Sequence, residues 1–269
     1  MRAWTPPSLP LARVGPLACR VGGTGQTGAL LLHGLVATGD VFGRTADLLA
    51  TSRVVAVPDL LGFGRSLDET REDFGTSAHL AAIDPVVTGA LGERRLLVAA
   101  HSAGSALALR WAALHPDQVE QVVCLGPPIW RSATAARRAI GAASPMSRAF
   151  VIDSEIARHA CALSCRHRAL AGWAAAVTAP RWPVAIARQA SLHTWAAYRQ
   201  TIAQQVLHDD WPSLLGTVAR AGITTRLVWG DRDPVGDHEF ARLLADELQN
   251  VEVRIIPGAD HTLPAARPR

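Results

Sequence analysis

The sequence predicts an α/β fold: a mostly parallel central sheet flanked by helices, with a helical segment inserted into it. Three observations carry this expectation. Apolar runs of strand length alternate with stretches of helical pattern. Those runs are nearly continuous in Val, Leu and Ile, as in strands buried on both faces. Between Gly126-Pro127-Pro128 and Gly222 the chain turns Ala- and Arg-rich and mostly helical in pattern, and there it holds five of its eight tryptophans: Trp130, Trp173, Trp182, Trp195 and Trp211.

Residues 11–21 and 29–33 read as early strands around the turn Gly22-Gly23-Thr24-Gly25. No helix follows that glycine cluster, so it does not read as a phosphate loop. Thr38–Thr51 reads as a helix and Arg53–Val57 as a strand. Thr76–Leu91 has a helical pattern that Pro85 should kink or delay. Leu96–Ala100 and Val119–Leu125 read as strands. The helix Ala106–His115 between them stops at His115-Pro116. Thr225–Gly230 is a short β-type run ending in an acidic turn. Val251–Ile256 alternates apolar and polar residues and stops at Pro257-Gly258. The expected organisation is a core of residues 1–126 and 222–269, with a helical cap at 127–221.

In Leu96-Leu97-Val98-Ala99-Ala100-His101-Ser102-Ala103-Gly104-Ser105, an apolar strand meets a serine among small residues, and a helix follows. Ala100 and Gly104 supply the small side chains that a sharp strand-to-helix turn needs, and such a turn lifts the serine hydroxyl above the end of the sheet. A nucleophilic serine requires a base, an acid that orients the base, and donors for the oxyanion. Asp231 and Asp233 follow one later strand and His261 follows the last, giving the chain order Ser, Asp, His.

With Leu31-Leu32-His33-Gly34 and Asp59-Leu60-Leu61-Gly62-Phe63-Gly64-Arg65-Ser66, these segments make five matches in order. Over residues 11–261 the chain resembles the α/β-hydrolase superfamily, of the esterase and haloperoxidase-like kind. The resemblance implies the α/β-hydrolase fold with a helical cap whose inner face shapes the substrate pocket. It implies Ser102 as nucleophile, His261 as base and Asp233 as orienting acid; the spacing from Gly230 favours Asp233 over Asp231. It implies an oxyanion hole made by the backbone N–H groups of Leu35 and Ala103, and Leu35, His101 and Trp130 as substrate-binding residues. Ala100 departs from the family's usual Gly.

The expected function is a serine hydrolase that cleaves a carboxylic ester, thioester or lactone of a largely apolar small molecule, with no cofactor. C–C bond hydrolysis, acyl transfer, haloperoxidase-like chemistry and cyclisation or tailoring of a polyketide-like metabolite would use the same triad and remain open. So does a non-catalytic ligand-binding role. Haloalkane dehalogenases and many epoxide hydrolases share the fold but use Asp as nucleophile, so Ser102 argues against both. Only Thr262–Arg269 follow His261 where family members commonly carry a further helix. That implies a less supported His261 loop, or cover from another subunit.

Composition sets limits. At 269 residues and 49% hydrophobic, the chain can bury one large core. All 27 basic residues are Arg, which with abundant Ala suggests a GC-rich bacterial genome. The net charge of +4 is scattered, with no aromatic interleaving, so nucleic acid is not an expected partner. Met1–Cys19 has no continuous apolar run of a signal peptide, and no stretch is suited to membrane insertion. The expectation is a soluble cytoplasmic protein of unspecified oligomeric state. Cys19, Cys124, Cys161 and Cys165 do not form a secreted disulfide framework, and Cys124 should be a buried thiol. His159, Cys161, Cys165 and His167 cluster in sequence. On a helix only the two cysteines share a face, so no metal site is expected. His33 and His101 read as structural neighbours of the site, and Asp260 as a solvated loop residue. His79, His159, His167, His193, His208 and His238 read as surface or cap residues.

Overall fold

The sheet is built around β3 (Gly28–Leu32), every residue of which is buried. The structure, a computed structural model, describes residues 4–143, 148 and 155–265. Side chains alternate across a strand, so β3 feeds both faces. Leu30 and Leu32 join a cluster with Val98, Leu107 and Trp111, while Ala29 and Leu31 pack with Phe42, Ala46, Val55 and Val57. Two helix layers therefore share one strand.

The other strands are β1 (Leu11–Val14), β2 (Leu17–Gly22), β4 (Val54–Pro58), β5 (Leu96–His101), β6 (Val119–Leu125), β7 (Thr224–Gly230) and β8 (Val251–Ile256). Their order is β1-β2-β4-β3-β5-β6-β7-β8. β1 pairs with β2, and β2 with β4, in antiparallel fashion. Every later pair is parallel, with Leu32 opposite Ala100 and Ala100 opposite Cys124. This is the predicted α/β sheet. The parallel strands all end on one edge, the edge where open α/β sheets bind ligands. The alternating pattern of Val251–Ile256 is that of an edge strand, and β8 is half-buried on one face only.

Local details refine three sequence expectations. Residues 11–21 are two strands, because the chain turns back at Gly15-Pro16 with Gly15 at φ 57°. Thr38–Thr51 opens as a 3₁₀ turn (Gly39–Phe42) capped by Thr38 and becomes α1 only over Gly43–Leu49. Of the expected kink or delay, Pro85 causes no delay but disturbs the turn that follows it. α2 (Thr76–Val86) runs through it and loosens one residue later into a π turn over Val87–Leu91. A proline cannot donate to the carbonyl four residues back, and widening the following turn absorbs the misfit.

α3 (Gly104–Leu114) follows β5 and is buried along most of its length. The insertion contains α4 (Ala133–Ala143), α5 (Glu155–Arg166), α6 (Arg168–Thr178), α7 (Val184–Gln189), α8 (Trp195–Thr201) and α9 (Trp211–Arg220). α9 packs on α3 and leads into β7, burying Trp211 completely. It serves as the crossover helix between two parallel strands. The expected boundary at residue 221 therefore takes in one helix that packs on the core. Upstream of α9, the segment before α8 sits on the loop after β4: Gly64 N–H donates to the Leu192 carbonyl at 2.8 Å, and Phe63 bridges His193. α10 (His238–Asp246) completes the helix layers, with Asp237 accepting from the Phe240 N–H as its N-cap. Among the described residues no helix is long and apolar enough to cross a membrane.

Candidate active site

Ser102 stands between β5 and α3 with φ 51°, in the left-handed region. A non-glycine residue there is uncommon and marks a constrained turn. The turn is fixed from both sides: Ser102 N–H donates to the Leu125 carbonyl of β6, and the Ser102 carbonyl accepts from Ser105 N–H. The loop after β3 lies directly against it. A Cβ added at Gly34 would come within 2.8 Å of the Ser102 Cβ.

Leu35 follows in that loop, and Val36 next to it has φ 50°. A β-branched residue in this region carries strain of about 1–3 kcal/mol, so its surroundings hold the turn in place. Ala103 begins the first turn of α3, where N–H groups have no intrahelical acceptor. Neither the Leu35 nor the Ala103 N–H has a hydrogen-bond partner among the described residues.

Asp233 follows β7, and its carboxylate is fully buried. One oxygen accepts from the Val235 N–H at 2.9 Å, and the two lie 3.0 and 2.9 Å from His261 Nδ1. A carboxylate can only accept, so Nδ1 donates, and in the neutral ring Nε2 is then left with its lone pair. Asp231 does other work: it accepts from the exposed Gly258 N–H at 2.8 Å. Of the two aspartates the sequence offered, Asp233 is the one that lies against His261. Ser102 Oγ makes no hydrogen bond to His261 here; such resting contacts are commonly loose and tighten with substrate.

Two further groups prop the histidine. His101 Nε2 donates to the His261 carbonyl at 3.0 Å, and the two rings lie 4.7 Å apart. Burial pushes the His101 pKa well below its ordinary value, and the nearby His261 adds to the effect. His101 is therefore neutral and supports the loop from beneath. It is expected among the substrate-binding residues, but its ring lies buried against His261 and Trp182. Asp260 is not a simple solvated residue. It accepts from Thr262 N–H and Oγ, bracing the turn that holds His261. The short helical turn Leu263–Ala265 packs on Gly39–Phe42 and on α1, which gives the loop the support its short tail put in doubt.

Leu35 and Trp130 behave differently from His101. Both belong to an apolar cluster with Ala103, Ile202, Val206 and Tyr198, immediately beside the residue after Ser102. Trp130 Nε1 is buried without a partner. Tyr198 and Ile202 were not singled out in the sequence; they lie about seventy residues beyond Trp130, and only the folding back of the insertion joins them.

The sequence also left two structural devices unread. Gly126, at φ 58°, passes under the acid–base pair, so that a Cβ there would come within 2.8 Å of Asp233 Oδ2 and 2.9 Å of His261 Nδ1. Asp59 accepts from the Gly39 and Arg65 N–H groups at 2.7 and 2.8 Å, and Asp40 pairs with Arg20 and Arg65 at 2.8 and 2.5 Å. Burial alone would raise the Asp40 carboxyl, but hydrogen bonds from Arg65 and Arg20 outweigh it and hold the pKa below its usual value. Gln189 of α7 joins this network through Asp40 and Thr38. The inserted helices are thereby tied to the loop that carries Leu35.

His79 also differs from expectation: it is buried, and burial pushes its pKa down to about 4. His193 and His208 are partly buried, with pKa values likewise pushed down to about 4. Apolar surroundings outweighed the polar character that suggested a surface place. His33 is structural, as expected: its Nδ1 faces the Gly34 carbonyl at 2.8 Å and its Nε2 accepts from the Leu60 N–H at 2.8 Å. Cys124 is a buried thiol with its pKa pushed up to about 12 by burial. His159 and His167 are exposed. The histidine that meets Cys161 is His193, 3.5 Å from its Sγ. Among the described residues no group of three potential ligands is arranged to hold a metal.

The alpha/beta hydrolase fold family matches residues 30–265, most of the chain. The chain belongs to that family. Among characterised relatives, it is 33% identical over 128 residues to lipase LipV of Mycobacterium tuberculosis, covering 47% of this chain and 48% of that protein. It is 27% identical to the probable lysophospholipase BODYGUARD 4 of Arabidopsis thaliana, over 78% of this chain and 52% of the other. The chain spans about half the length of these two relatives. Among solved structures, E-2-(acetamidomethylene)succinate hydrolase superposes with a TM-score of 0.69 at 21% identity, over 94% of this chain and 92% of that one. The thioesterase domain of the curacin biosynthetic pathway gives 0.66 at 18% identity, over 98% and 96%. At such identities these structures show the shared fold.

Proposed function

We propose that this chain is a serine hydrolase that cleaves a carboxylic ester, thioester or lactone of a largely apolar small molecule. The observation that carries the reading is the pairing of His261 with the buried Asp233 on the strand edge where Ser102 sits at positive φ. Relatives named as lipases and lysophospholipases support ester cleavage.

In this reading, substrate enters with its carbonyl carbon over Ser102 Oγ. His261 Nε2 takes the hydroxyl proton as the Oγ–carbon bond forms. Asp233 fixes the imidazole tautomer and stabilises the imidazolium. The free N–H groups of Leu35 and Ala103 receive the oxyanion. His261 then gives its proton to the leaving alcohol or thiol. Water, deprotonated by the same histidine, releases the acyl group and restores Ser102. The residues alone account for these steps, and no cofactor enters the scheme. The apolar cluster of Leu35, Trp130, Tyr198 and Ile202 favours an apolar group next to the scissile bond. Residues 127–221, apart from α9, act as the cap that excludes water.

The test is labelling with a fluorophosphonate probe, alongside hydrolysis of a series of p-nitrophenyl esters. Labelling and turnover in the native chain, both lost in Ser102→Ala, are expected. Substantial turnover by folded Ser102→Ala would overturn the assignment.

A further inference from the structure

α6 is an anomaly for a surface helix. Beyond Arg168, at its start, it holds no charged residue. Leu170, Trp173 and Val177 are nonetheless 71%, 52% and 77% exposed. A helix so apolar on its outer side ordinarily packs against something. The spacing places the three side chains on one stripe, opposite the buried Gly172 that seats α6 on α7. Val184 of the neighbouring α7 is also exposed, at 53%. Arg188, one turn further on, lies over the Trp173 ring at 4.3 Å.

Charge selects the occupant. Residues 127–221 hold 11 arginines against 4 acidic residues, whereas the rest of the chain holds 16 against 19. The positive charge of the protein is thus concentrated in the insertion. Arg166, Arg181 and Arg188 are exposed, Arg181 lying 3.8 Å from Asp260 and Arg188 over the stripe's tryptophan. A cavity of about 360 Å³ opens between α6 and α7, lined by Arg168 and Arg188 among other residues. Two copies of so basic a face repel each other, whereas an anionic lipid surface attracts it. Trp beside aliphatic side chains, with Arg at the margin, is also the chemistry that settles at a headgroup boundary.

We propose that the outer face of α6 and α7 docks on an anionic lipid bilayer, with Leu170, Trp173 and Val177 entering the headgroup region and Arg188 beside them meeting phosphate. This attachment is peripheral and independent of Ser102.

The experiment is flotation of the full chain with vesicles of phosphatidylcholine alone or mixed with phosphatidylglycerol, at low and high salt. Partitioning at least about tenfold greater on the anionic vesicles, weakened by salt, is expected. The triple variant Leu170→Ser, Trp173→Ser, Val177→Ser should lose it while keeping the native circular dichroism spectrum and thermal midpoint. Arg188→Gln, a milder change, should weaken it without touching the stripe. Ser102→Ala should bind as the native chain does, which separates this proposal from the catalytic one. Equal binding to both vesicle types, binding unchanged in a folded triple variant, or self-association through this face without vesicle binding would each overturn it.

Discussion

Replacing Gly126 by Ala isolates the acid–base pair from a single point. The added Cβ would lie 2.8 Å from Asp233 Oδ2 and 2.9 Å from His261 Nδ1. Ordinary carbon–heteroatom contact begins about half an ångström further out, so one partner has to retreat. Asp233 is confined by its burial and by the Val235 N–H, so His261, a quarter exposed, gives way. If His261 is the proposed base, displacing it by about 0.5–1 Å lowers turnover by roughly 10²-fold. The backbone adds its own cost, because Gly126 sits at φ 58° and Ala there loses about 1–2 kcal/mol. Gly222→Ala separates the two effects. Gly222 has φ 74° but nothing within 4 Å of a built Cβ, so it bears the backbone cost alone. Thermal unfolding and p-nitrophenyl acetate hydrolysis should therefore show both variants lowered by a few degrees, with kcat/KM reduced by about 10² only in Gly126→Ala. If folded Gly126→Ala keeps kcat/KM within about twofold of native, the pair does not depend on this close approach and the reasoning fails.

Three further outcomes follow from the same geometry. Asp233→Asn should lower kcat by about 10³–10⁴-fold, because an amide no longer fixes the His261 tautomer; Asp231→Asn should leave it nearly unchanged, and steady-state kinetics decide the ranking. Asp59→Asn places an NH₂ against donors at Gly39 or Arg65 and should cost about 2–4 kcal/mol by urea denaturation; a change under about 0.5 kcal/mol would contradict the network. His79 is neutral when folded, its pKa pushed down to about 4 from 6.5. Between those values the unfolded chain binds more protons, so its contribution is complete above pH 6.5 and is lost as pH falls to about 4. That amounts to roughly 3 kcal/mol, and His193 and His208, with pKa values also pushed down to about 4, act in the same direction. Urea midpoints measured through that window should fall steadily; His79→Leu should flatten the fall, and a midpoint flat with pH in the native chain would show that these histidines do not stay neutral.

The strands, the serine turn and the order Ser102, Asp233, His261 were legible in the sequence because each is a local signal. Continuous apolar runs mark doubly covered strands, and a turn with positive φ demands small neighbours. Tertiary structure decided what local patterns do not encode. It set Asp233 rather than Asp231 against His261 by bringing the ends of β7 and β8 together, and it buried the His101 ring beside His261. It also buried His79, whose surroundings come from distant segments. Gly126 gave no signal beyond a chain boundary, since its role depends on two side chains more than a hundred residues away. The outer face of α6 is the reverse case: its composition is plain in the sequence, but only the fold shows that nothing in the chain covers it among the described residues. Periodicity says which residues share a face. What that face meets is set by the packing of the whole chain.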